Sequence, residues 1–357
     1  MAMIEADFGL PLAGVAVGIA LGFVARVNVF CTLSAFEKAW YSGDASGLRT
    51  WALAALVAAL LSQIAIQFGI VDLSSSFYLT TNLALGAHIV GGLLFGIGMA
   101  LVGTCGFGAL IRLGGGSLKG FVAFLVIGIT ALATSRGLLS PIRTFIEGNF
   151  SVDLSFAANQ SIPTLVSAGV GAWASIPTIA LLIVAGAFWI FKSKDFRQNA
   201  KGQLTGLIVG VAIAAGWIIT AYFQQQSFSP VQLESASFVL PLGDGILQFV
   251  ANTGVGPDYG VGLVFGTILG AALGALKQKS VRWEACDDAR ELGRHIAGAA
   301  FMGFGGVLAL GCTIGQGLSA ASLMTISAPI VIISIAIGAR IGLAYLLGDR
   351  AFQFNAS

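Results

Sequence analysis

Two long stretches of this 357-residue chain contain no charged side chain at all. One lies between Asp72 and Arg112 and the other between Arg294 and Arg340. A bilayer-spanning helix needs roughly 20 apolar residues. Each stretch therefore holds about two passes, or one pass with broken helices beside it. Only 10% of the residues are charged, 57% are hydrophobic, and mean hydropathy is +0.91. A water-soluble domain carries about 25% charge to cover its surface, so lipid is the solvent this chain is built for. The fold class expected is all-α: a polytopic transmembrane helical protein.

The apolar runs predict spans near 10–30, 50–71, 86–104, 118–138, 174–191, 203–223, 259–277, 294–311 and 328–347. Shorter apolar pieces near 105–111, 162–173, 238–251 and 312–325 cannot cross. They are expected as half-helices or re-entrant segments, enclosed by protein or lining a cavity. Lys192, Lys194, Arg197 and Lys201 follow one span, and Lys277, Lys279, Arg282 and Arg290 another. The positive-inside rule places both loops in the cytoplasm. The acidic segments 139–160 and 224–258 then face outward. The N-terminus, with Glu5 and Asp7, is expected outside, and the C-terminus inside.

An internal match supplies the organisation. Gly86, His88, Ile89 and Gly91 pair at one constant offset with Gly293, His295, Ile296 and Gly298. In the same register Gly96, Gly98, Leu101, Cys105 and Gly108 meet Gly303, Gly305, Leu308, Cys312 and Gly315. Glycine is abundant, but the chain has only two histidines and four cysteines, and chance does not readily align those. On the expected topology the two copies run in opposite directions, the inverted-repeat device of many transporters. One membrane domain, 1–357, is expected, with repeat 1 at about 10–138, repeat 2 at about 203–347, and 139–202 as the link. A second match, the Gly-x3-Gly rows at 14, 18, 22 and 262, 266, 270, reads instead as two close-packing helix faces.

Each repeat copy ends in a glycine-flanked cysteine: Gly103-Thr104-Cys105-Gly106-Phe107-Gly108 and Gly311-Cys312-Thr313-Ile314-Gly315-Gln316. Glycines at that density weaken a helix by roughly 1 kcal/mol each against alanine, so each helix is expected to break near its thiol. The break frees backbone N–H groups, and the next helix presents its positive end there. Amides for oxygen atoms and a thiol for sulfur suit a sulfur-bearing anion. Without the repeat, both cysteines read simply as small buried hydrophobes. Cys31 lies at the end of the first span, five residues after Arg26. A charge inside a span is functional or snorkels to the interface. Gln316 either donates to an oxyanion or bonds another helix. Arg112 and Lys119 either attract an anion or mark the cytoplasmic side. Cys286, in a charged loop, reads as a reduced, non-functional thiol, and His88 and His295 as capping or interface groups near opposite faces. No Cys/His spacing suits a metal and no cofactor motif occurs. No catalytic or nucleotide-binding signature occurs either, so the chain is not expected to be an enzyme. No basic run suits nucleic acid.

Taken together, Phe30-Cys31 with Ala35-Phe36 and Gly43-Asp44, Gly103-Thr104-Cys105-Gly106-x-Gly108, and Gly311-Cys312-Thr313-x-Gly315 resemble the YeeE/YedE sulfur-transport family of bacterial inner-membrane proteins, over nearly the whole chain. The resemblance implies import of thiosulfate or a related small sulfur-containing anion across the inner membrane. It also implies relay of the ion past three cysteines, which here are Cys31, Cys105 and Cys312. Gly106, Gly108, Gly311, Gly315, Gln316 and Arg26 would support the pathway. A cytoplasmic sulfurtransferase-type partner would receive the sulfur. Two other readings stay open: a membrane thiol-redox or persulfide carrier, and a selenium-compound transporter of the same fold.

Overall fold

The structure, a computed structural model, describes residues 2–227, 231–251, 256 and 258–348. The side chains of Glu5 and Asp7 and the residues after 348 lie outside that description. The chain is helical almost throughout. Its helices are α1 (Ala2–Asn28), α2 (Thr32–Tyr41), α3 (Ser46–Gln67), α4 (Leu85–Val102), α5 (Gly106–Gly114), α6 (Leu118–Ser135), α7 (Ser140–Asn149), α8 (Ile162–Val170), α9 (Ser175–Phe191), α10 (Lys194–Gln198), α11 (Ala200–Gln226), α12 (Leu240–Val250), α13 (Tyr259–Lys277), α14 (Ala289–Leu308) and α15 (Ser327–Leu347), with a π-helical turn at Gly315–Ala320. The strands β1 (Asn82–Leu83) and β2 (Val152–Asp153) pair antiparallel.

Among the described residues, eight helical segments are long and apolar enough to cross a membrane. The protein is a multi-pass membrane protein. Eight of the nine expected spans coincide with them. The ninth, 294–311, corresponds to α14, whose early turns carry Arg290, Glu291 and Arg294 and whose later ones are glycine-rich. Its surroundings explain the composition. One face packs closely on α4, with Gly298 against Gly98 and Leu101 and Gly305 against Gly91 and Phe95, while Ile296 and Phe301 stay exposed. The short helices α2, α7 and α10 were not expected from the apolar pattern.

Each half contains the same order: long helix, short helix, long, long, short, long. In the first half these are α1 to α6. In the second they are α11, α12, α13, α14, the π turn and α15. Equivalent members run antiparallel. Asn28 of α1 bonds Thr205 of α11 at 2.8 Å, while Gly9 meets Phe223. Gly91 and Gly98 of α4 meet Gly305 and Gly298 of α14. Cross-pairs run parallel. Gly14, Gly18 and Gly22 of α1 lie on the backbone of Tyr259, Leu263 and Thr267, and Gly262, Gly266 and Gly270 of α13 lie on Pro11, Val15 and Ile19. In the same way Gly92 and Gly96 of α4 sit on Val331 and Ile335 of α15. A β-carbon at any of these positions would collide with the facing backbone, so the glycine rows set how closely the helices approach.

These contacts define two ends. At the lower end α1, α4, α13 and α15 finish and α3, α6, α11 and α14 begin. Lys119 bonds Glu291 there at 2.7 Å, and Arg282 N–H donates to Gly115 O at 3.0 Å. At the upper end the segment after α7 folds over the bundle. Gly86 N–H donates to Phe150 O, and the Gln160 amide to Tyr78 O at 2.9 Å. Ile162 N–H donates to Met324 O at 2.8 Å.

Candidate functional site

Three cysteines occupy the same local structure. The helix before each one closes with a bond from residue i to i−5: Phe30 to Ala25 at 3.0 Å, Thr104 to Met99 at 3.1 Å, and Gly311 to Gly306 at 2.8 Å. That is the Schellman closure, which requires a left-handed residue just before the donor. Val29 (φ 54°), Gly103 (φ 75°) and Leu310 (φ 54°) fill that place. The cysteine comes next but one and opens the following helix. Its carbonyl accepts the first intrahelical bond: Ala35 to Cys31 at 3.1 Å, Ala109 to Cys105 at 2.9 Å, and Gln316 to Cys312 at 2.9 Å. Helix breaks were expected where glycines are dense. At two of the three thiols the left-handed residue is valine or leucine, held there by the surrounding fold.

Cys105 and Cys312 are buried, Cys31 is half-buried, and all are free thiols. Cys105 has both Cys31 and Cys312 within electrostatic reach. Around Cys105, the Gly108 amide points at the sulfur, and the Thr313 hydroxyl is turned toward it without completing a hydrogen bond. Around Cys312, the Gly315 N–H donates to Sγ at 3.4 Å and the Phe238 backbone lies alongside. Phe238 also touches the other break, its carbonyl against Gly106 and its ring 4.8 Å from that of Phe107. Gly106 and Gly108 therefore keep the Cys105 break narrow. At Gly108 an added β-carbon would strike the Thr104 hydroxyl and stand 3.9 Å from the Cys105 sulfur.

The Tyr78 hydroxyl lies over the Cys312 break. A β-carbon added at Gly311 would be 3.3 Å from it, and one at Gly315 3.1 Å from it and 3.0 Å from Ser237 Oγ. Tyr78 is 1% exposed, its ring held edge-on by Trp217, and its hydroxyl is turned toward Ser237 without completing a hydrogen bond. Thr313, fully buried, also carries an unpartnered hydroxyl. Leaving a buried donor unmade costs about 1–3 kcal/mol. Neither residue was picked out from the sequence. Thr313 lies inside the cysteine motif, but Tyr78 comes from a loop far away in the chain, and no local pattern marks it.

Cys31 opens onto two cavities at the lower end. One, of about 530 Å³, is lined by Arg26, Glu37, Thr104, Gly108 and Arg112 among others. The second, of about 370 Å³, has Asn28, Lys38, Lys201 and Thr205 in its wall. Arg26 donates to Ser280 O and Oγ, both at 3.0 Å, and its guanidinium lies over Gly115. Arg112 donates to Gly103 O at 2.6 Å, tying α5 to the end of α4. The larger cavity ends at Thr104 and Gly108, next to Cys105.

Gln316 uses its amide N–H groups on Ala309 O at 2.7 Å and Leu310 O at 3.4 Å, and its oxygen accepts from Ser327. Its donors thus cap the end of α14. Lys119 is paired with Glu291. His88 lies beside Leu308 near the upper end, and His295 bonds Glu291 O near the lower. Cys286 sits in the loop before α14, away from the three breaks. No cluster of His, Cys, Asp and Glu that would hold a metal occurs among the described residues.

Two antiparallel halves whose broken helices bring thiols together define a membrane protein of the inverted-repeat transporter type. The particular group is given by comparison: the chain belongs to the Sulphur transport family, whose sequence pattern matches residues 29–341. It is 27% identical over 329 residues to a thiosulfate transporter, TsuA, of Spirochaeta thermophila, covering 88% of this chain and 92% of that one. It is 22% identical over 338 residues to the thiosulfate transporter TsuA of Escherichia coli, covering 89% of each.

Proposed function

We propose that this protein imports thiosulfate, or a close sulfur-bearing relative, across the bacterial inner membrane along Cys312, Cys105 and Cys31 in that order. The observation that carries the reading is the threefold repetition of one helix break, each placing a thiol where a helix begins, with Cys105 in reach of the other two. A neutral thiol is a weak donor and a polarizable acceptor. It holds the soft terminal sulfur of thiosulfate briefly and lets it pass. Three weak stations suit conduction better than one tight site. Arg26 and Arg112 then attract the anion into the lower cavity.

The lower end is the cytoplasmic one in this reading. Lys38, Arg49, Lys119, Lys201 and Lys277 gather there, as the positive-inside rule requires. The C-terminus is then cytoplasmic and the N-terminus external. The repeat units are about 10–138 and 203–347, joined by 139–202, whose first part supplies the outer cover and whose helix α9 returns the chain to the lower end. Within the cell a sulfurtransferase-type protein takes up the sulfur. Lipid surrounds the bundle, and transport needs neither metal nor cofactor in this chain.

The test is uptake of labelled thiosulfate by cells lacking other routes. Cys105→Ala and Cys312→Ala are expected to fall to background. Cys31→Ala, beside a wet cavity that already reaches Thr104, is expected to keep about a tenth of the rate. Undiminished uptake in Cys105→Ala and Cys312→Ala removes the thiol route.

A further inference from the structure

The two unpartnered hydroxyls at the Cys312 break carry a second assignment, which rests on the thiol route. We infer that Tyr78 Oη and Thr313 Oγ1 bind the oxygen end of the transported anion while the thiols hold its sulfur end. Both side chains are buried to within 1% and both hydroxyls lack a partner. Buried polar groups are normally satisfied, so two orphans at one break mark a place that a ligand completes. Their positions differ in a useful way. Tyr78 Oη lies over Gly311 and Gly315, on the Cys312 side. Thr313 follows Cys312 directly in the chain yet turns its hydroxyl to Cys105.

An anion at Cys312 meets the Tyr78 hydroxyl, and one moving on to Cys105 meets that of Thr313. Each step exchanges one O–H donor for another, so the oxygens are not stripped of hydrogen bonds on the way. The Gly315 amide is already committed to Cys312 Sγ, and the two hydroxyls are side-chain donors that complete no bond beside it. The arrangement also sets selectivity. Hydroxyls alone hold any tetrahedral oxyanion, sulfate included. Hydroxyls with thiols favour an ion having oxygens at one end and a polarizable sulfur at the other.

The experiment measures concentration-dependent uptake of labelled thiosulfate by the full-length protein, normalised to its amount in the membrane. The variants are Tyr78→Phe, Thr313→Val and Thr313→Ser. The first two remove a hydroxyl and keep the shape. A hydrogen bond to a charged group is worth enough for a roughly tenfold or greater rise in KM, with the maximal rate changed much less. Thr313→Ser, which keeps the hydroxyl, restores the KM. Unchanged KM in both Tyr78→Phe and Thr313→Val overturns the assignment. So does a Thr313→Ser variant as impaired as Thr313→Val. If Tyr78→Phe does not reach the membrane, the two Thr313 variants decide alone. Cys312→Ala assayed in parallel separates the two failures. If that variant is inactive while the hydroxyl variants keep a normal KM, this inference alone falls; if it transports normally, the thiol route falls.

Discussion

The upper and lower ends of the proposed thiol route share one backbone motif and differ in almost everything else. At the upper end Cys312 is sealed under Tyr78 and Ser237, and the groups turned toward it are neutral. At the lower end Cys31 faces two cavities of about 530 and 370 Å³ whose walls include Arg26, Arg112, Lys38 and Lys201. The antiparallel halves supply the same helices to both ends, so the scaffold has no polarity of its own. Direction enters through side chains. The place in the second half equivalent to Cys31 is the start of α12, where Val239 stands instead of a thiol. A symmetric frame thus carries three thiols at its breaks rather than four. It is closed and hydroxyl-lined at one end, open and cationic at the other.

The sharpest way to break that contrast is to ask which thiols react. Alkylation requires approach of a bulky reagent to a thiolate. In the purified protein, Cys31 at the cavity wall and Cys286 in its loop are expected to react with a water-soluble maleimide at least a hundredfold faster than Cys105 and Cys312. Mass spectrometry of the labelled peptides measures the ratio. Equal labelling of Cys312 and Cys31 would mean that the upper end is not closed.

A smaller effect concerns a buried acid at the upper end. Glu234, before α12, is 8% exposed and accepts a hydrogen bond from Gly260 N–H at 3.1 Å. Burial pushes its carboxyl well above the usual carboxylate range, and the nearby Asp258 adds to the rise. The sign follows from linkage. The unfolded chain loses this proton first, so stability falls as pH rises from the ordinary carboxylate value toward the folded one. Glu234→Gln keeps the shape without the charge. It is expected to raise the melting temperature at pH 7 and to leave it unchanged near pH 4. An equal shift at both values would show that the acid's ionisation does not matter.

What the sequence could reveal follows the same division. The spans were legible because lipid demands long apolar runs, and the inverted halves because His88 and Cys105 keep register with His295 and Cys312. The glycine rows of α1 and α13 were legible as packing faces, though not as faces of each other, because a small residue shows that something comes close but not what. Helix α14 gave a weaker signal, since its charged first turns and the glycines of its packed face, Gly298 and Gly305 among them, lower its hydropathy. The hydroxyl of Tyr78 was hidden because its position depends on a loop folding across the other half. The shared geometry of the three breaks was hidden too. Glycine announces a left-handed residue at 103, whereas Val29 and Leu310 adopt that conformation against their own preference.

That last point supplies the smallest and most local test. A left-handed conformation costs an ordinary L-residue roughly 1–2 kcal/mol, and a β-branched side chain is among the least suited to it. Val29 is 76% exposed and borders both lower cavities, so its side chain contributes little packing. Val29→Gly removes the strain, and the greater freedom of glycine in the unfolded chain gives back about 0.5–1 kcal/mol. A net stabilisation of about 0.5–1 kcal/mol is expected, read as a rise of a degree or two in thermal unfolding, with thiosulfate uptake unchanged. Leu310 has the same φ but is only partly exposed at the closed end. There, relief of strain is offset by the loss of a partly buried leucine's contacts, worth about 2 kcal/mol, so Leu310→Gly is expected to destabilise. Opposite signs for one substitution at two copies of one motif would place the difference between the ends in what surrounds the break. Equal signs would place it in the break itself.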